Sequence, residues 1–148
     1  MNRLILYFLL VALTISCKKD KVNDYATEYS SQGIVGKWRL VEIASSDGAN
    51  NSKINMESKN YIITFESDGD FLSPDYPCAG KYVFDSSKPG RLGDRNLTVT
   101  FLECEASKTE WYSLGGQADA RITDSNTLSL NFEHCDEACT RIYRRLKR

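Results

Sequence analysis

The sequence between residues 33 and 146 is a succession of short segments in which apolar and polar residues alternate. A period of two is that of a β-strand with one face in a core, and no segment here has a sustained helical period. Strands are predicted at residues 37–43, 61–66, 81–84, 97–102, 111–114, 117–122, 128–133 and 140–146, with a ninth if Phe71 and Leu72 are counted separately. The chain is therefore predicted to be all-β.

Short connections favour antiparallel pairing of strands that follow one another in the sequence. Asp68-Gly69 lies between two apolar segments and predicts a tight hairpin turn. In the first strand the alternation breaks between Leu40 and Val41, which indicates a β-bulge. Such strands form either a sandwich or an up-and-down barrel, and a barrel leaves no exposed edge strand. We predict a small antiparallel up-and-down β-barrel of about eight strands, within a domain that spans residues 33–148.

The composition excludes one class of partner. The 148 residues suffice for one domain, and 41% hydrophobic with 26% charged residues is ordinary for a globular protein. Lys and Arg (19) nearly balance Asp and Glu (20), which leaves a formal charge of −1. A general nucleic-acid-binding protein needs an excess of basic residues, so nucleic acid is not an expected partner.

The N-terminus has the features of a secretory signal peptide. Arg3 gives a positively charged start, residues 4–15 are almost wholly apolar, and the small residue Ser16 follows. The apolar run is about a dozen residues long, whereas a helix that spans a bilayer needs roughly 20. Residues 1–16 are interpreted as a signal peptide; the alternative is a short anchor helix that is retained.

The residues around Cys17 resemble the lipobox of bacterial lipoproteins. Thr14-Ile15-Ser16-Cys17 places a cysteine directly after the apolar run, although that motif usually has Leu where this sequence has Thr14. The resemblance implies that Cys17 is acylated on sulfur, with membrane lipid as its partner. Residues 17–32 have no periodicity and are predicted to form the lipidated N-terminus and a flexible tether. The expected location is the cell envelope, anchored to the outer membrane, either periplasmic or surface-exposed.

The barrel segment resembles the lipocalin-like domains of bacterial lipoproteins. The resemblance is carried by Gly36-Lys37-Trp38, Ile63-Thr64-Phe65, Asp68-Gly69-Asp70-Phe71, Cys78-Ala79-Gly80-Lys81-Tyr82, Leu128-Ser129-Leu130 and a basic last strand. It implies that Trp38 packs at the closed end of the barrel beneath an arginine of the last strand, either Arg144 or Arg145. The middle motif of that family is not found in this chain.

Four cysteines fall in the barrel segment, and an exported chain is expected to form disulfides. If the two strands between Cys78 and Cys104 form a hairpin, these cysteines lie opposite each other at its open end, at a spacing that suits a disulfide. Cys135 and Cys139 flank the turn between the last two strands in the same way. We predict the pairs Cys78–Cys104 and Cys135–Cys139.

No catalytic motif is found in the sequence, so an enzyme is not expected. The single histidine, His134, lies between Glu133 and Asp136 and is interpreted as a solvated loop residue. The alternative is a metal site formed by His134, Cys135 and Cys139 with Asp136 or Glu137, which an oxidising compartment and a single histidine disfavour. No cofactor or metal is predicted.

Aromatic side chains are the strongest indication of a ligand. Tyr61, Phe65, Tyr82, Phe101 and Trp111 are predicted to line a binding site, because small alanines on a neighbouring strand leave space inside the barrel. An eight-stranded barrel can hold one small ligand. The alternative is that these aromatic side chains simply fill the barrel.

Two functions follow from these alternatives. The predicted function is a membrane-anchored, monomeric binding protein that holds a small hydrophobic molecule in or at the mouth of the barrel. The alternative is a protein-interaction or inhibitor module on a solid barrel without a small-molecule ligand. A filled interior together with an exposed apolar patch would favour the second function. Arg141, Arg144 and Arg145 are interpreted as part of a solvated strand face near the chain end.

Overall fold

The computed structural model describes residues 25, 33–46, 50–104, 115–123, 126–132 and 138–147. This part of the chain contains nine β-strands and one short 3-10 helix, Glu57–Lys59. The strands are β1 Gly36–Ser46, β2 Asn51–Asn55, β3 Ile62–Phe65, β4 Asp70–Leu72, β5 Gly80–Phe84, β6 Leu97–Thr100, β7 Gly116–Thr123, β8 Thr127–Phe132 and β9 Ala138–Arg145. The described chain is all-β, as predicted.

The strands form one antiparallel sheet that closes on itself. The barrel order is β1-β3-β4-β5-β6-β7-β8-β9, and β9 pairs with β1 to complete eight strands. β1 is long enough to pair with two strands along the same edge: residues 36–39 pair with β3, and residues 42–46 pair with β2. β2 is therefore a ninth strand outside the closed barrel. The prediction of an up-and-down barrel of about eight strands is confirmed.

Two strands differ from the sequence prediction. β4 is a barrel strand in its own right, so Phe71 and Leu72 count separately. The sequence pattern does not indicate β2, because all its side chains are exposed and a strand exposed on both faces has no apolar alternation. The strand predicted at residues 111–114 lies outside the described residues.

Two local features follow directly from the sequence. The register of β1 against β9 shifts between Leu40 and Glu42, so Val41 is the extra residue of a bulge. At the β3–β4 turn, Gly69 has a φ of 89°, which glycine adopts at little cost. The bulge and the hairpin turn are both confirmed.

The core is densest near the start of β1. The fully buried large side chains are Trp38, Leu40, Ile63, Phe65, Phe71, Leu97, Leu128, Leu130 and Tyr143. Residues 33–35 cross this end of the barrel, and Ile34 packs against the core. We call the end where β1 begins and β9 ends the closed end. The opposite end, where β5 begins and β6 ends, is called the mouth end.

One residue of the predicted tether lies on the outside of the barrel. Tyr25 forms an isolated antiparallel bridge with Leu146. The centre of its ring is 5.6 Å from the guanidinium carbon of Arg39 and 5.6 Å from that of Arg144. These arginines are paired across β1 and β9, so Tyr25 covers that seam. The predicted signal peptide and Cys17 lie outside the described residues.

Candidate binding site in the mouth half of the barrel

A disulfide joins the two segments that border the mouth end. Just beyond the ladder, the register of β5 against β6 brings Cys104 within one residue of the position opposite Cys78. Their sulfur atoms are bonded and their Cα atoms are 6.1 Å apart, which confirms the predicted Cys78–Cys104 pair. Cys139 has a free thiol, and Cys135 lies outside the described residues. The structure therefore gives no support to the predicted Cys135–Cys139 pair.

The closed end is built around Trp38. Its indole is fully buried, and Nε1 donates a hydrogen bond to the Ile34 carbonyl oxygen at 2.8 Å. The guanidinium carbon of Arg145 lies 4.0 Å from the centre of the indole rings, a cation–π distance. Arg145 also donates hydrogen bonds to the carbonyl oxygens of Gly33 and Val35. These contacts tie the crossing segment, the first strand and the last strand together.

The structure decides which of the two arginines, Arg144 or Arg145, covers Trp38. Arg145 faces the interior over Trp38, whereas Arg144 is exposed on the outer face beside Tyr25. This follows from the alternation of a strand, which sends neighbouring side chains to opposite faces. Arg145 is therefore the residue that covers the tryptophan.

The aromatic residues predicted to line a ligand site are distributed over different parts of the barrel. Phe65 is fully buried and packs edge-on against Tyr82, with ring centres 4.9 Å apart, so it belongs to the core. The hydroxyl of the half-buried Tyr82 donates to the Glu66 carbonyl oxygen at 2.8 Å. Phe101 lies at the mouth end, half-buried and stacked on Tyr76 with ring centres 3.4 Å apart. Trp111 lies outside the described residues.

Tyr61 belongs to a group of polar side chains inside the barrel. Its hydroxyl donates to the Asp75 carboxylate and lies 3.1 Å from the Ser73 hydroxyl oxygen. Ser73 Oγ in turn accepts the Asp75 backbone N–H at 3.3 Å. All three residues are buried. Ser73 and Asp75 follow β4, so this loop folds inward and brings a carboxylate into the interior.

Arg141 and Tyr143 extend this group on β9. They occupy alternate positions on its inward face, and both are buried. The guanidinium carbon of Arg141 lies 5.0 Å from the centre of the Phe132 ring. The Tyr143 hydroxyl oxygen has no hydrogen-bond partner among the described residues. We call Tyr61, Ser73, Asp75, Arg141 and Tyr143 the interior polar cluster.

Burial determines the protonation of the two tyrosines in this cluster. It raises the pKa of Tyr143 well above the ordinary value of 10.0, and Arg141, through its charge and a side-chain contact with the hydroxyl, offsets only part of the rise. Burial also raises the pKa of Tyr61, with further contributions from Tyr143 and from the hydrogen bond to Asp75. Both phenols are therefore protonated at neutral pH and are hydrogen-bond donors.

Sequence reasoning missed most of this cluster. Arg141 and Arg145 are buried, which corrects their interpretation as part of a solvated strand face; only Arg144 is exposed. A signal was present, because Arg141, Tyr143 and Arg145 stand at alternate positions and share one strand face. Ser73 and Asp75 lie in a loop, where no periodic pattern indicates which side chains are buried.

Other kinds of site find no support in this part of the chain. In the described ranges, no group of three or more His, Cys, Asp or Glu side chains is arranged to hold a metal ion. His134 lies outside these ranges. No helix among the described residues has the length and hydropathy needed to cross a membrane. The chain matches no protein-family model, and no curated protein or solved structure is significantly similar to it.

Proposed function

We propose that this protein is a membrane-tethered, lipocalin-like binding protein that holds a small, mostly apolar molecule in the mouth half of its barrel. One observation carries the proposal: buried polar side chains, including Asp75 and Arg141, are built into the interior beside the partnerless Tyr143 hydroxyl. Burying polar and charged groups is costly, and apolar side chains of similar volume often stabilise a core better. The presence of such polar groups in the barrel interior is therefore better explained by ligand binding than by core packing.

The closed half does not suit a ligand. Trp38, Ile63 and Phe65 have 0% exposed surface there, and Arg145 covers the indole. The Trp38 N–H and the Arg145 guanidinium have hydrogen-bond partners within the fold, so neither group is left for a ligand to satisfy. Binding is therefore expected at the mouth of the barrel rather than along its whole depth.

Partly exposed apolar side chains at the mouth end suit the apolar body of such a molecule. Phe101 and Tyr76 form a stacked pair there, and both are half-buried. Ile43, opposite Arg141 on β1, is also partly buried and packs against the core. Ligand sites are typically lined by apolar and aromatic groups with a few polar groups that fix orientation.

The tether is the second part of the proposal. Its support is the lipobox-like sequence at Cys17, which follows an apolar run too short to span a bilayer. Acyl chains on this cysteine would anchor the barrel to the outer membrane, since two or more chains bind far more firmly than one. Replacing Cys17 with Ala should release the protein into the soluble fraction. Equal metabolic labelling of wild type and variant by an acyl-chain analogue would contradict the lipid anchor.

A protein-interaction module is the second candidate function. It is favoured by Leu102, which is 85% exposed and lies beside the disulfide-bonded Cys104 at the mouth end. Large exposed apolar side chains otherwise occur on separate segments, namely Ile54 on β2, Leu72 on β4, Val83 on β5 and Leu92 in the β5–β6 loop. Because Val83 and Leu92 lie away from the mouth end that carries Leu102, these residues support one contact patch less well than the interior polar cluster supports a ligand.

Native mass spectrometry of the full-length protein, purified in mild detergent from the cells that make it, tests the proposal. We expect the folded protein to carry an additional small-molecule mass that is lost on denaturation. Folded protein that carries only its covalent mass, and that fails to bind a neutral apolar fluorescent probe, would contradict a ligand site. Co-purification of a protein partner together with that result would favour the interaction module.

A further inference from the structure

We infer that the bound molecule ends in a hydrogen-bond-accepting oxygen, of a carbonyl or carboxylate group, which accepts a hydrogen bond from Tyr143 and lies beside Arg141. This inference rests on the proposed function, because it assigns the polar end of the ligand proposed there. It assigns a role to a hydroxyl that the fold itself leaves without a partner.

The Tyr143 hydroxyl carries the inference. Tyr143 is fully buried, yet its Oη atom has no hydrogen-bond partner among the described residues. Arg141 lowers the pKa of this phenol through its charge and through a side-chain contact with the hydroxyl, although this contact does not have hydrogen-bond geometry; burial has the larger, opposite effect. Buried polar groups in native proteins are nearly always hydrogen-bonded, so an exception calls for a missing partner.

The chemistry of the cluster fixes what that partner must be. Arg141 can only donate hydrogen bonds, and a protonated Tyr143 has a hydrogen to donate. The carboxylate of Asp75 already accepts from Tyr61, whose hydroxyl also contacts Ser73. Because the donor Arg141 already faces the Tyr143 oxygen, the hydroxyl still lacks an acceptor for its hydrogen, and this acceptor is what a ligand would bring.

The charges of Arg141 and Asp75 do not determine whether the accepting group of the ligand is charged or neutral, so experiment must decide this. Arg141 and Asp75 are both buried in the same cluster and carry opposite charges, so the cluster does not require a charged ligand. A carboxylate and a neutral ester or ketone share the accepting oxygen that Tyr143 needs. A protonated amine lacks an accepting oxygen and cannot take the hydrogen that Tyr143 offers.

The surroundings of Arg141 specify the rest of the molecule. The face of its guanidinium lies over the Phe132 ring, and its neighbours across β1 and β8 are Ile43 and Leu130. These side chains are apolar, so the part of the ligand that follows the accepting group is expected to be apolar too. The inferred ligand class is an amphiphile with an acceptor at one end.

Competition experiments with matched probes test this inference on the full-length protein. Lauric acid, methyl laurate, dodecylamine and dodecane share a chain length and differ in the end group. Each would displace a neutral fluorescent probe, N-phenyl-1-naphthylamine. We expect the acid or the ester to bind about tenfold more tightly than dodecane, and dodecylamine to gain nothing over dodecane. Acid-only preference assigns a carboxylate, and equal preference for acid and ester assigns a carbonyl; both outcomes support the inference.

Two single-atom variants make the test specific. Tyr143→Phe removes only the partnerless hydroxyl, so it should fold normally, remove most of the acid or ester preference and leave dodecane binding unchanged. Tyr82→Phe is the control, because its hydroxyl bonds to the Glu66 carbonyl oxygen away from the cluster. Equal binding of acid, ester and dodecane to wild type, or an unchanged preference in Tyr143→Phe, would overturn the inference while leaving the ligand site standing. Failure of every probe to bind would count against both.

Discussion

The two ends of the barrel each contain a buried arginine from the inward face of β9, and the two arginines have different surroundings. At the closed end, Arg145 lies 4.0 Å from the Trp38 ring centre and donates to two backbone carbonyl oxygens of the crossing segment. In the mouth half, Arg141 lies 5.0 Å from the Phe132 ring centre, in a cluster whose Tyr143 hydroxyl has no partner among the described residues. Arg145 is held by hydrogen bonds within the fold, whereas Arg141 lies beside a buried hydroxyl that lacks a hydrogen-bond partner.

This comparison separates stability from binding along one strand. The closed end has a full apolar core, in which the Trp38 N–H is satisfied by the Ile34 carbonyl oxygen. The mouth half has buried polar groups that packing alone does not require. Substitutions at the closed end should therefore change the free energy of unfolding, whereas substitutions in the mouth half should mainly change binding.

The largest expected effect is that of Trp38→Ala. Truncating a fully buried tryptophan typically costs about 3–5 kcal/mol, a large part of the roughly 5–15 kcal/mol that stabilises a domain. The half-buried Phe101 at the mouth end is the matched aromatic, and Phe101→Ala should cost clearly less. Denaturant midpoints of both variants check this. A Trp38→Ala midpoint equal to that of wild type would contradict the prediction that the closed end contributes most to the free energy of unfolding.

The β5–β6 loop braces the closed end, and its two glycines give a sharper comparison. The Asn96 side chain exchanges two hydrogen bonds with the Ala120 backbone, at 2.7 and 2.8 Å, which holds the loop against β7. A Cβ on Gly90 would lie 2.1 Å from the Ala120 carbonyl oxygen, whereas one on Gly93 would meet no described atom within 4 Å. Both glycines have a positive φ, of 71° and 90°, so both alanine variants incur backbone strain.

Gly90→Ala should therefore destabilise the protein by roughly 1–3 kcal/mol more than Gly93→Ala, because only Gly90 adds a clash with backbone. Thermal unfolding of the two variants measures the difference. Equal losses of stability would mean that the loop does not press on β7 as described.

Alkaline pH should act through the mouth half. Burial raises the pKa of both Tyr61 and Tyr143 above the ordinary 10.0. Above that ordinary value the unfolded chain loses phenolic protons that the folded chain keeps, so stability falls as pH rises through about 10. Tyr143→Phe removes one of these groups and should make the decline shallower. An unchanged slope of stability against pH would show that Tyr143 ionises freely in the folded state.

The smallest expected effect concerns the Tyr25 contact. Its ring lies 5.6 Å from the guanidinium carbons of both Arg39 and Arg144, and surface cation–π contacts contribute about 0.5–1 kcal/mol each. Tyr25→Ala should lower the unfolding temperature slightly, while Tyr25→Phe keeps a ring and should not. A matching loss in the Phe variant would assign the contact to the hydroxyl instead.

The residues that the sequence predicts well are those whose role is local or periodic. The Val41 bulge and the Gly69 turn can be read from neighbouring residues, and the Cys78–Cys104 disulfide follows from hairpin register. β2 has no apolar face, so no periodicity reveals it. Burial of Asp75 depends on how one loop folds into the barrel, which local sequence does not encode.

The arginines of β9 show the same limit, because the sequence does not reveal which of them are buried. Alternation tells which side chains share a face with Arg141, but a basic strand ordinarily faces solvent. Only closure of the barrel by the β1–β9 pairing turns that face inward, and closure depends on pairing between the two ends of the domain sequence. Alternation therefore groups Arg141 with Tyr143 but does not show that their face is buried, and only one member of the cluster, Tyr61, was among the predicted ligand residues.

Backbone amide NMR during titration of the full-length protein with methyl laurate tests the central claim most directly, because it reads both ends of the barrel at once. We predict that signals of residues 130–132 and 139–143 shift on addition of the probe, while those of residues 36–38 and of Arg145 stay in place. Shifts concentrated at the closed end, or no shift at either end at saturating probe, would contradict a binding site in the mouth half.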